Sequence, residues 1–529
     1  MSENQKEILK TQLWKIAELL RGRMNASEYQ NYILGFIFYK YLSEKQEIYA
    51  DRLLEADGFR YIELHENVKD AEVTEYLAHI REHSVENLGF FIPPSELFGY
   101  IVKKGRGELG GDTFILEDLK LALSNIENST AGFDSEEDFA GLFEDVDLTS
   151  SKLGRTESQK NQVIVEVLKL LDEVDFEFSD IKSDLLGDAY EYLISEFAAS
   201  AGKKGGEFYT PAQVSRILSR IVTHDKKRIK SVYDPTCGSG SLLIHVGEFA
   251  EVAHYYGQEL NPTTYNLARM NMILHNLQYS RFSIKQGDTL EEDHFPELKA
   301  EAVVANPPYS AHWKGSDNPL FATDERFAQY GALAPKKTAD YAFVCHMLYH
   351  LADNGTMAVL MPHGVLFRGA AEGKIRRYIV ERLNYLDAVI GLPPNLFFGT
   401  SIPVCIMVFK KCREAKNDIL FIDASKEYRP GKNQNHLDDE HIEKIVTTYT
   451  ERKELDKYSH RATMEEIIEN DYNLNIPRYV DTFEEEEPVD IEAAAHEIVE
   501  LEAKEKEIDE KIAAFCKELG IEPPFGGEK

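Results

Sequence analysis

The sequence predicts an α/β protein: an open, mostly parallel sheet with helices on both faces, preceded by a helical region and followed by a C-terminal coiled-coil-type helix. Three observations carry this prediction. From residue 201 to 415, short apolar runs alternate with helical patterns. The first 200 residues show helical periodicity. From 485 to 529 an apolar repeat is spaced alternately three and four residues apart. A chain of 529 residues that is 43% hydrophobic and 11% aromatic has material for two to four domains with ample cores.

In the first region, Glu7 to Leu20 places Leu9, Leu13, Ile16, Leu19 and Leu20 near one helical face. Ser27 to Leu42 is apolar nearly all round, which predicts a buried helix. Further helices are expected over Ser158 to Val174 and Ser179 to Ala198. The Asp-, Glu-, Ser- and Gly-rich stretch Glu127 to Leu153 is expected to be irregular. In the second region the candidate strands are Ser231 to Tyr233, His254 to Gln258, Phe282 to Ile284, Ala302 to Ala305, Thr356 to Met361, Leu386 to Gly391 and Val404 to Phe409. Helices are expected between them at Ala212 to Val222, Asn266 to His275 and Tyr341 to Leu351. A connecting region, 416–484, ends in the charged run Glu484 to Glu487 and Pro488, which reads as a solvated hinge. The terminal seam is Ile491, Ala494, Ile498, Leu501, Glu505, Ile508, Ile512, Phe515 and Leu519. Such a helix needs a partner, either its own chain or another subunit.

The charge is uneven. The chain carries a formal −33, which taken whole opposes phosphate binding. From Ala201 to Cys412, 23 Lys+Arg face 20 Asp+Glu, a net +3, so the other 317 residues carry −36. Any contact with nucleic acid is expected in the middle third, with a basic partner supplying most of the affinity. Cysteines 237, 345, 405, 412 and 516 form no C-x-x-C pair, which argues against a zinc site or a disulfide framework. The N-terminus lacks an apolar signal core, and no apolar run approaches the length of a membrane span. A soluble, cytoplasmic, metal-free protein is expected.

Chemistry concentrates at predicted strand ends. Asn306-Pro307-Pro308-Tyr309 follows the run Ala302 to Ala305. Two prolines make a stiff turn whose carbonyls have no local donor, beside an amide and an aromatic ring. That arrangement can hold a planar exocyclic amine by two acceptors while the ring covers its base. Two acceptors pulling on the amine hydrogens favour the tetrahedral form and return the lone pair to nitrogen. A plain proline-rich turn is the bland alternative for the tetrapeptide alone.

Asp234, then Thr236 and Gly238-Ser239-Gly240, follow the first strand and open a helix, so the backbone can approach a ligand there. No Gly-Lys-Ser/Thr follows, and the third glycine of the dinucleotide fingerprint is missing. Asp234 would repel pyrophosphate yet accept from an ammonium. Glu259 ends the next strand, where a carboxylate can take ribose hydroxyls, and Asp288 ends the third, where it can bond an adenine edge. Each acid alone reads equally as a loop or helix cap. Together at successive strand ends they fit S-adenosylmethionine.

The order of these motifs resembles the N6-adenine DNA methyltransferases, and in particular the modification (M) subunit of type I restriction–modification systems. Gly206-Glu207-Phe208-Tyr209-Thr210-Pro211 is similar to that family's cofactor motif. Gly391 to Phe398, Ile402-Pro403 and Asp471 to Tyr479 resemble its later signatures. Thr236-Cys237 stand where the family often has two small residues. The resemblance implies a Rossmann-like class I methyltransferase domain over 201–415, a helical N-terminal domain over 1–200 with a partner or DNA-clamp role, and a terminal helix over 485–529. It implies that Asn306 and the Pro307 carbonyl hold adenine N6, Tyr309 stacks on the ring, and Phe397 or Phe398 covers the opposite face. Glu207, Phe208, Tyr209, Thr210, Pro211, Gly238, Ser239 and Gly240 would line the methionine end, Glu259 the ribose and Asp288 the adenine.

A partner is expected because the segment after Cys412 is acidic and offers no recognition helix. Lys226-Lys227-Arg228, Lys336-Lys337 and Arg376-Arg377 can hold phosphates or be solvated faces, but cannot choose bases. The resemblance implies that a specificity (S) subunit reads the DNA, flanked by two M subunits, with a restriction (R) subunit able to join; the terminal helix is the expected dock. Two alternatives stand beside this reading: methylation of an RNA adenine or a protein glutamine, and a non-catalytic scaffold for the S subunit.

Overall fold

The computed structural model describes residues 11, 14–64, 71–174, 185–200, 210–397, 401–413, 417–432, 434–482 and 491–524. Its centre is a nine-stranded sheet in the order β3-β2-β1-β4-β5-β7-β6-β8-β9. The strands are β1 Arg228–Asp234, β2 Glu251–Glu259, β3 Phe282–Gln286, β4 Ala300–Ala305, β5 Leu351–Pro362, β6 Leu386–Gly391, β7 Val404–Lys410, β8 Asp418–Asp423 and β9 Ser459–Thr463. The first five in this order run parallel, and β6 is parallel to β8. β7 is antiparallel to both neighbours and β9 to β8.

All seven expected strands form, several of them longer than the apolar runs alone indicated. The sheet also continues past residue 415, because Ile419-Leu420-Phe421-Ile422 is an apolar run that pairs with β6. Along the central strands side chains alternate between two cores, as a period of two requires. Val304, Leu360, Ile390 and Ile406 belong to one, and Val303, Val359, Val389 and Met407 to the other. Burial on both faces explains why these strands read as continuous hydrophobic runs.

The N-terminal helices share the first of those cores; Ile33, Phe36, Leu119 and Leu168 lie in one cluster with Val232 and Ile390. Helix Ala26–Leu54 starts at a capping box: the Asn25 side chain accepts from Glu28 N, and Glu28 Oε2 accepts from Asn25 N, both at 3.0 Å. It outruns the expected Leu42, because its second half turns polar without meeting a breaker. Glu157–Asp172 and Leu185–Ser200 are helical, while residues 179–184 of the latter expectation lie outside the described residues. Helices Ala71–Leu88, Phe98–Gly105 and Leu116–Asn128 were not anticipated.

The stretch from Glu127 to Leu153 begins with the end of helix Leu116–Asn128, holds one further turn of helix, Glu136–Phe139, and is otherwise irregular. It is stapled to helix Pro262–Leu274, which follows Glu259. Arg269 Nη1 donates to the carbonyls of Glu137 and Ala140, both at 2.9 Å, and Asp145 accepts from Thr263 Oγ1 at 2.7 Å. Residues Met1–Val480 form one compact unit and Asp481–Lys529 a second. The second contains helix Ile491–Leu519, whose Ile498, Leu501, Ile508, Phe515 and Leu519 are 54–73% exposed. No helix among the described residues is long and apolar enough to cross a membrane.

Candidate active site

Sheet order reverses between β1 and β4, and a crevice opens at the carboxyl ends of such strands. Asp234 is the last residue of β1 and Glu259 of β2; Asp288 lies two residues beyond β3, and Asn306 directly follows β4. Thr236, Glu259, Asp288, Asn306 and Pro308 line one cavity of about 330 Å³, together with Pro235, Asn261, Gly287 and Thr289. Leu260, 62% exposed, and Phe343 also line it and were not singled out from sequence. The position of Leu260 after a strand-ending acid was the available signal; Phe343 comes from a distant helix and left none.

Each acid has a defined setting. Asp234 is buried, and burial pushes its carboxyl up to about 8, although the Thr236 amide donates to its Oδ1 at 2.9 Å. Glu259 is also raised by burial, against the pull of backbone amides. Its Oε2 accepts from Gly238 N at 3.0 Å and its Oε1 from Asn261 N at 2.8 Å. The Leu260 amide pulls on it as well, and since a carboxylate has about four acceptor positions, capacity remains for a ligand hydroxyl. Asp288 is exposed and accepts from Leu290 N at 3.0 Å.

The glycine turn is built for close approach. Gly238 and Gly240 have φ of +54° and +78°, and a Cβ on Gly240 would come within 3.0 Å of Met272 Cε. Asp234, Gly238, Ser239 and Gly240 do not line the cavity; Gly238 reaches it through Glu259. Ser241, opening the helix after the turn, donates to Glu191 Oε1 of the N-terminal region at 2.7 Å.

At the other wall, Asn306 Nδ2 donates to Thr210 Oγ1 at 3.1 Å, and the Tyr309 hydroxyl donates to Asn306 Oδ1 at 2.7 Å. Burial raises the Tyr309 phenol well above its ordinary value, so it remains a neutral donor. Thr210 and Tyr309 thus fix which end of the amide is the acceptor. Pro211 lies apart, in a second cavity of about 430 Å³ beside Glu191 and His245. Phe397 is 3% exposed and belongs to the sheet's core. Glu207, Phe208, Tyr209 and Phe398 lie outside the described residues.

One cluster with metal-ligand chemistry, Asp293, His346 and His350, brings its ligand atoms within 4.8 Å of one another. These atoms are engaged. Tyr233 OH meets His346 Nε2 at 2.8 Å and Arg326 Nη1 meets His346 Nδ1 at 3.3 Å; His350 contacts the Leu298 carbonyl and Asp293, each at 3.0 Å. A guanidinium beside the imidazole opposes a cation, so the cluster reads as a buried hydrogen-bonded network.

The groups gathered around the cavity suit a cationic, hydroxyl-bearing ligand: the half-buried Glu259, the exposed Asp288 and the neutral Asn306 amide line it, with the buried Asp234 behind them. Comparisons with known proteins give the family. The family model described as N-6 DNA Methylase matches residues 181–488, and that of the HsdM N-terminal domain matches 9–171. The chain is 39% identical to the type I restriction enzyme MpnII methylase subunit of Mycoplasma pneumoniae, over 98% of this chain and 97% of that one. It is 33% identical to the MjaVII methylase subunit of Methanocaldococcus jannaschii, over 75% and 69%. Among solved structures, the type I restriction-modification methyltransferase subunit from Streptococcus thermophilus superposes with a TM-score of 0.81 at 43% identity, covering 90% of this chain and all of that one.

Proposed function

Because the chain belongs to the N-6 DNA methylase family, as a methylase subunit of type I restriction enzymes, we propose that the cavity between β2, β3 and β4 takes S-adenosylmethionine and that Asn306 to Tyr309 receive the target adenine. The class of reaction, N6-methylation of DNA adenine, follows from the family. The assignment of residues rests on one observation: Asn306 opens onto the same 330 Å³ cavity as Glu259 and Asp288.

In this reading Asp234 pairs with the ammonium, Glu259 takes the ribose hydroxyls and Asp288 the adenine edge. Thr210 and Thr236 are assigned to the methionine end with Glu207, Phe208 and Tyr209, while Pro211, Gly238, Ser239 and Gly240, which do not line the cavity, are assigned to the backbone that shapes it. The bound cofactor supplies an activated sulfonium methyl, which needs no nucleophile from the protein. The chain's own residues align and polarise. A carbonyl oxygen has two lone pairs, so Asn306 Oδ1 can accept from N6 while keeping the Tyr309 hydroxyl. The Pro307 carbonyl supplies the second acceptor, and Tyr309 stacks on the ring. Of the aromatic pair we assign the opposite face to Phe398, since Phe397 is committed to the core. Alignment of this kind is worth about 7–11 kcal/mol when geometry is right. Flipping the adenine costs a few kcal/mol, which stacking offsets.

The base is chosen elsewhere. Helix Ile491–Leu519 presents an apolar seam to solvent, and we assign to it the docking of an S subunit, in a complex of two M subunits with one S that an R subunit can join. In such a complex, with labelled cofactor offered alongside DNA, RNA or protein, methylation is expected on DNA adenine alone. Asn306→Ala should reduce transfer at least about 10²-fold with cofactor affinity kept within about twofold. Full activity of that variant refutes the assignment. Phe398→Ala should weaken capture of the flipped base, whereas Phe397→Ala should lower thermal stability instead.

A further inference from the structure

The residue after the tetrapeptide, Ser310, sits at φ +53°, a left-handed conformation unusual for a side-chain-bearing residue. Its amide donates to Oδ1 of Asp340 at 2.8 Å. Asp340 is 1% exposed, and its Oδ2 accepts from Arg368 Nη2 at 2.6 Å. We propose that Asp340 is a positioning residue for methyl transfer, latching Ser310 and so holding Asn306 to Tyr309 in their working shape.

An acid in the first turn of helix Asp340–His350 has an ordinary explanation, stabilising the helix end. The bonds argue otherwise. The Ser310 amide and the Arg368 guanidinium, which the carboxylate accepts from, both lie outside that helix: one follows Tyr309, the other sits in the loop after β5. The helix opens without it, through Ala342 and Phe343 amides donating to the Ala339 carbonyl. The latch is braced on all sides. Ala339 N donates to the Ala311 carbonyl at 2.9 Å, and Arg368 Nε lies 2.9 Å from Glu372 Oε2. Arg376 holds the Arg368 loop by its Val365 and Arg368 carbonyls at 3.0 and 2.8 Å.

Without an acceptor for its amide, Ser310 has every reason to relax to negative φ. That rotation swings the peptide after Tyr309, and with it the hydroxyl that sets Asn306 Oδ1. A catalytic constellation tolerates about 0.5 Å of error, and a 1 Å misplacement costs about 10²-fold.

This inference rests on Asn306 being the methyl-acceptor-side residue, so Asn306→Ala is the control. In the complete complex with the S subunit, Asp340→Ala should lower kcat about 10- to 100-fold, with cofactor and DNA affinities within about twofold. Ser310→Gly, alone near wild-type rate, should restore at least about fivefold of that loss in the Asp340→Ala background, because glycine adopts +53° without strain. A purely structural role for Asp340 predicts no such rescue. Ser310→Pro keeps the folding question separate: it removes the amide and forbids positive φ at an exposed position, and should lose about as much kcat. If Asp340→Ala or Ser310→Pro keeps kcat within about twofold while Asn306→Ala does not, or if glycine fails to rescue, the latch is refuted. An active Asn306→Ala refutes the underlying site instead.

Discussion

At neutral pH the buried carboxyl of Asp234, pushed up to about 8, keeps its proton for most of the time in the unliganded chain. An acid raised in the folded state costs stability as pH climbs: the penalty is absent below its unfolded value near 4, grows from there to about 8, and is constant above. Asp234→Asn removes the charge and keeps an oxygen for the Thr236 amide. The variant should therefore melt increasingly above wild type between pH 4 and 8, by up to about 5 kcal/mol at the top of that window. It should also lose the cofactor-induced rise in Tm. Wild-type cofactor affinity should weaken below about pH 8 by up to tenfold per unit, since the proton must leave before the ammonium binds. A pH series of melting curves with and without S-adenosylmethionine reads all three; parallel wild-type and variant curves would sink the argument. The sequence placed Asp234, Glu259 and Asn306 correctly at their strand ends, because strand ends are local; Asp288, expected to end the third strand, lies two residues beyond it. The sequence could not show that Asn306 is held by Thr210, or Ser310 by Asp340, as these bonds join residues 96 and 30 positions apart.

Among the elements, seven strands were legible because the sheet's central faces are buried and those strands carry apolar runs; β8 was not anticipated, nor was β9, Ser459–Thr463, which is polar and half exposed. Helix Ala212–Val222 matched its expected bounds, its apolar positions lying on one face. The helices Ala71–Leu88 and Phe98–Gly105 were missed, the first because its apolar residues are few and partly exposed. Phe397 shows the limit of motif reading: an aromatic in a signature loop is a base-stacking candidate by type, and packing decided where it went. The terminal helix was legible as a seam, and its side chains stand exposed. Leu501→Asp with Ile508→Asp should abolish association with the S subunit in size-exclusion chromatography while leaving cofactor binding intact. Survival of the complex would mean that another surface docks it.

Across the whole molecule, −36 of formal charge lies outside the net +3 of residues 201–412. Electrostatics then disfavour DNA on their own, and the isolated chain is expected to show no duplex binding in the low-micromolar range at about 0.15 M salt. Adding the S subunit should create binding that weakens with salt; tight binding by the isolated chain would contradict the division of labour. The sequence by itself determined the α/β class, the strand-end acids, the position of Asn306 to Tyr309 after a strand and the charge imbalance, because periodicity, spacing and composition are properties of the chain. Only the tertiary structure decided that the N-terminal helices share one core with the sheet, that β8 and β9 extend it, and that Glu259, Asp288 and Asn306 meet at one cavity. Those outcomes depend on which distant faces bury each other and which buried polar groups must find partners, and neither is written in local order.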